Sequence, residues 1–124
     1  MTKRLVFSLI LSSAIGVGQS RTSISGTWRV HTLIDGNDMV SECDFSQTGA
    51  SVSGTCSSEQ GTVDVVGQVK APSVSLSYDS DYNGTASTIT LTGTVAGPRM
   101  TGKVSVDPDE ASGKFTAVLA RRTN

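Results

Sequence analysis

Histidine, tryptophan and cysteine are scarce in this chain of 124 residues, at one, one and two copies respectively. With His31 alone and no serine on a nucleophile-elbow motif, no Ser-His-Asp arrangement can be assembled. Alternation puts His31 on the outward face of a strand, as a solvated surface side chain. Two thiols, Cys43 and Cys56, with no histidine nearby do not make a zinc site. The chain therefore reads as non-enzymatic. Sustained helical periodicity is also missing, which excludes a helical bundle and an α/β fold. Charged residues are only 17% of the total, and serine and threonine are abundant instead, as suits an exposed β surface outside the cell.

Long apolar runs are limited to one, Leu5 to Val17, preceded by Lys3 and Arg4 and followed by small residues. It falls short of the ~20 residues a membrane span needs and reads as a secretory signal peptide, residues 1–20, cut after Ser20. Residues 21–124 are then one small domain, secreted or periplasmic, with no membrane span. Without Lys3 and Arg4, the ten basic residues fall to eight against eleven acidic ones. That surplus disfavours nucleic acid or an anionic membrane as partner.

What remains is short alternation of apolar and small polar residues, broken seven times by turn signals. Strands are predicted near Gly26 to Leu33, Met39 to Gln47, Ser51 to Ser57 and Thr62 to Val69. Four more follow near Ser73 to Tyr78, Thr85 to Val95, Arg99 to Val106 and Lys114 to Arg122. The fold class is all-β: an eight-stranded antiparallel up-and-down meander barrel with one cross-strand disulfide. Trp28, Val30, Cys43, Phe45, Val65, Leu76, Leu91, Phe115 and Arg121 belong to the inward faces. Gly26, Gly54, Gly67, Gly93 and Gly102 fall there too, as tight coiling requires, and they weigh against a large cavity.

A two-residue type II′ turn at Gly49-Ala50 sets Thr48 opposite Ser51, and counting back along the hairpin sets Cys43 opposite Cys56. Such a non-hydrogen-bonded pair has Cα atoms ~4.5 Å apart, within disulfide reach. Closing a loop of about 14 residues should stabilise the fold by roughly 3 kcal/mol.

The opening Ile24-Ser25-Gly26-Thr27-Trp28, with an inward Arg121 on the last strand, resembles the Gly-x-Trp and arginine pairing of calycin barrels, the group of lipocalins and avidins. Gly49-Ala50-Ser51-Val52-Ser53-Gly54-Thr55-Cys56-Ser57-Ser58 resembles the second hairpin of streptavidin-like proteins. The resemblance implies a structural, barrel-closing role for Trp28 and Arg121. It does not carry biotin binding: polar ligand positions are Val30 and Cys56 here, with Ser58 alone keeping a hydroxyl, and avidin sites are walled by several tryptophans.

In a meander the connections after strands one, three, five and seven share one mouth. Those connections are predicted to be the longer ones and to carry an acidic rim, while Arg21, Lys70, Arg99, Arg121 and Arg122 lie at a closed, basic base. The expected ligand mouth comprises Asp35, Asp38, Ser58, Tyr78, Tyr82, Asp107 and Asp109, with Phe115 near that end. Converging carboxylates attract a cationic ligand or a metal ion. Asp79-Ser80-Asp81-Tyr82-Asn83-Gly84 matches the opening of a calcium loop, making Asp79, Asp81 and Asn83 metal candidates, although Thr90 stands where the bidentate glutamate belongs. The leading expectation is an exported small-molecule-binding module, and it fails if that end is plugged by side chains with no pocket of even ~300 Å³. The alternatives are a small β-barrel proteinase inhibitor acting through its N-terminal arm, or a surface protein that self-associates.

Overall fold

The computed structural model describes residues 22–82, 84–108 and 110–122, with Tyr82 described through its backbone. The segment read as a signal peptide lies outside them. Among the described residues no helix is long and apolar enough to cross a membrane. The strands are β1 (Gly26–Ile34), β2 (Asn37–Thr48), β3 (Ser51–Ser58), β4 (Gly61–Lys70), β5 (Ser73–Tyr82), β6 (Thr85–Ala96), β7 (Arg99–Asp107) and β8 (Ala111–Arg122). Each pairs with the next in antiparallel fashion, and β8 returns to β1, closing the wall. The predicted meander barrel is the observed one.

Alternation builds the core as expected, because every second side chain points into the barrel. Trp28, Val30, Phe45, Val65, Leu76, Leu91, Met100 and Phe115 are all buried. The hairpin register is also as counted: Thr48 pairs with Ser51 and Cys43 with Cys56, Gly49 has φ +63°, and the disulfide joins Cα atoms 4.0 Å apart. The β6 and β7 backbones approach closely where Gly93 faces Gly102. A Cβ on Gly93 would lie 2.0 Å from the Thr101 carbonyl oxygen, so only glycine permits this approach.

Two expectations are corrected. The mouth connections are not long, because the strands run further than their composition suggests. Ile34 pairs with Asn37, Ser58 with Gly61 and Tyr82 with Thr85, leaving two-residue turns like those at the other end. Only the β7–β8 connection, beyond Val106 and Ala111, is longer. Residues such as Asp79, Ser80 and Asp81 have weak strand preference, and pairing with β6 overrides it.

Arg121, expected inside, is exposed. The β1–β8 register shifts between Thr27 and Trp28: Trp28 faces Leu119, whereas Thr27 faces Arg121. The extra residue is a β-bulge, and it brings Arg121 onto the face of Thr27. There its guanidinium donates at 3.4 Å to Thr27 Oγ1, while that hydroxyl donates to Asp44 at 2.6 Å.

What distinguishes the two ends is a plug. The residues before β1 cross the base, and Ile24 is wholly buried beside Trp28, which is 1% exposed. The Trp28 indole N–H donates to the Ile24 carbonyl at 2.9 Å. Gln47 holds the same segment: its Oε1 accepts from the Ile24 amide at 2.9 Å and its Nε2 donates to the Thr22 carbonyl at 3.0 Å. The Ser25 hydroxyl accepts from the Gln47 amide at 3.0 Å. Thr22 to Ser25 is thus seated on the barrel and does not project from it as an arm.

Candidate functional site

With the base plugged, the cavity among the described residues lies toward the opposite end. Phe45, Val65, Leu76 and Leu91 floor it, and the Cys43–Cys56 disulfide with Val30 and Val63 walls it. Thr32, Ser41, Ser58, Gln60, Ser80 and Tyr78 supply its polar groups. Apart from Gln60 in the β3–β4 turn, these follow from strand parity: even positions face inward on β1, odd ones on β2, and even ones again on β3 and β5.

The enclosed volume is about 60 Å³. A single water needs roughly 10–15 Å³, and pockets that take drug-sized ligands start near ~300 Å³. This cavity does not reach the ~300 Å³ that the small-molecule expectation requires, and it admits only a small group. The large inward side chains and close backbone approach at the inward glycines leave no more room than this.

Chemically the lining is neutral. Its one ionisable side chain is Tyr78, whose phenol is held above its ordinary pKa because burial disfavours the phenolate. A set of hydroxyls and one amide around an apolar floor can orient a neutral group by hydrogen bonding while burying its apolar part.

Of the expected mouth residues, Ser58 and Tyr78 line the cavity. The acids do not join them. Asp35 is exposed in the β1–β2 turn, Asp107 is exposed at the end of β7, and neither lines the cavity. Asp38 is exposed on β2 with its carboxylate against the His31 imidazole on the outer wall. Asp109, Asn83 and the Tyr82 side chain lie outside the described residues.

Of the calcium candidates, two lie on a strand and Asn83 is outside the described residues. Asp79 and Asp81 are exposed on strand β5, where extended backbone points both outward instead of coiling them about an ion. Asp79 accepts a hydrogen bond from the Thr88 hydroxyl at 3.0 Å. Among the described residues no three of His, Cys, Asp and Glu gather to hold a metal.

Sequence reasoning missed Thr32, Met39 and Ser41 as lining residues although they lie within predicted strands, and missed Gln60 and Ser80 because they lie beyond the predicted strand ends and read as turn. The signal is present: the alternation that identifies Val30 and Leu76 as inward continues to Thr32 and Ser80. No protein-family model and no curated protein matches the chain.

Proposed function

We propose that this chain is an exported, non-enzymatic binding module that uses a calycin-like barrel to hold a small neutral group at its open end. The observation that carries this reading is the one-ended interior: a disulfide-walled, apolar-floored cavity with a hydroxyl rim at one end, and a hydrogen-bonded plug at the other. Neutral lining favours an uncharged ligand over a cation, since no carboxylate among the described residues reaches the cavity. It also favours binding over catalysis, because a phenol held above its ordinary pKa offers no acid or base poised near neutral pH. The signal-like leader supports export, and the Gly-x-Trp opening, with Trp28 sealed at the base, supports the calycin comparison.

A ligand that binds only the folded state raises its stability, by about 2.7 kcal/mol at a hundred times its Kd. Thermal shift with native mass measurement across small neutral alcohols and amides, biotin, calcium and cationic metabolites is the test. A neutral compound should raise the melting temperature, and Ser58→Trp, which fills the entrance, should abolish the shift. Stabilisation by calcium or by cations alone would overturn the reading.

A further inference from the structure

The wall of the barrel is not zipped along its whole height. β4 and β5 pair from Lys70 and Ser73 up to Val66 and Ser77 and no further, although β4 begins at Gly61 and β5 runs on to Tyr82. Above that point β4 is paired with β3 alone and β5 with β6 alone. Among the described residues, the facing edges 61–65 and 78–82 leave a seam where the backbone N–H and C=O groups that point toward it have no partner in the β4–β5 ladder.

The register explains why zipping stops. Continued by two residues, it would set Asp64 directly opposite Asp79, and two residues higher Thr62 opposite Asp81. All three acids are exposed on the outer face, and like charges directly opposite one another destabilise strand pairing. The residues opposite them on the far side are uncharged: Thr55 on β3 faces Asp64, and Thr88 and Ala86 on β6 face Asp79 and Asp81. Among the described residues, no ion pair involves these acids. At the foot of the seam Val66 is 60% exposed.

We propose that the seam receives an extended peptide segment of a partner protein, laid in as an added strand with Lys or Arg on its outer face and small apolar side chains on its inner face. Only a polypeptide offers N–H and C=O groups at strand spacing to both open edges. Its alternate residues point to opposite faces. One set meets Asp64, Asp79 and Asp81, and the other faces the cavity beside Val63, Val65 and Tyr78. A second copy of this chain is a poor occupant, because its own seam carries the same acids. The proposal extends the binding reading to a partner, and it rests on the open edges and the acids, not on what fills the cavity.

The test is fluorescence anisotropy with the disulfide-intact protein, together with backbone hydrogen exchange. The probe is a labelled peptide of strictly alternating lysine and valine, long enough to span the seam. It should bind at least about ten-fold more tightly than its backbone N-methylated form, or than a block peptide with all its lysines before all its valines. Binding should protect amides within 61–65 and 78–82, and Asp64→Asn with Asp79→Asn should weaken it by about ten-fold. Equal affinity for the block peptide, protection elsewhere, undiminished binding by the double variant, or dimerisation that protects the same amides would each overturn the proposal. A peptide alternating lysine with threonine that binds and protects as well as the valine one upholds the seam while removing the cavity from it, so the two readings fail separately.

Discussion

Replacing Ile24 by alanine tests whether the segment before β1 is part of the core. Its side chain is 0% exposed, while its amide and carbonyl bond to Gln47 and Trp28. The substitution removes three carbons, at about 0.8 kcal/mol each by transfer alone, and buried Ile→Ala changes span about 2–5 kcal/mol once the cavity is included. The segment enters from one side and can settle into part of the space, so a loss of about 2–3 kcal/mol is expected. For a domain of this size that lowers the melting temperature by about 8–20 °C. Urea denaturation followed by tryptophan emission reads the stability, and a thermal melt the temperature, since Trp28 is the sole tryptophan and touches the plug. A red-shifted native emission should accompany the lost stability. A change below about 0.5 kcal/mol with unaltered emission would refute the plug as a core element.

Gly93→Ala should cost about 3 kcal/mol or prevent folding, because the new methyl meets the Thr101 carbonyl oxygen at 2.0 Å; chemical denaturation of the purified variant checks it. Replacing Cys43 and Cys56 together by alanine removes a cross-link between residues thirteen apart, and a loss of about 3 kcal/mol is expected in denaturant titrations. Tyr78, pushed upward by burial, should titrate above the ordinary value of about 10 in ultraviolet difference spectra, and Tyr78→Phe should remove that step. Because the fold favours the neutral phenol, its contribution is complete below the unfolded pKa and is lost as pH rises through the higher folded one.

Much of this is legible from local pattern. The inward parity of each strand, the Gly49-Ala50 turn and the Cys43–Cys56 pairing follow from a period of two and a fixed turn length, both properties of neighbouring residues. Parity misplaces Arg121 because a bulge against β1 shifts the count, and nothing within β8 announces it. The mouth loops look longer in the sequence than they are, because Asp79 to Asp81 read as loop chemistry until a partner strand holds them extended.

The sequence by itself determined the eight-strand meander, its register along each hairpin and which residues share a face, since alternation and turn chemistry are local. Only the tertiary structure decided that Ile24 plugs one end, that the acids among the described residues stay outside the cavity, and that β4 and β5 part above Val66. Those depend on residues far apart in the chain meeting across a closed wall, where volume and charge are settled between strands.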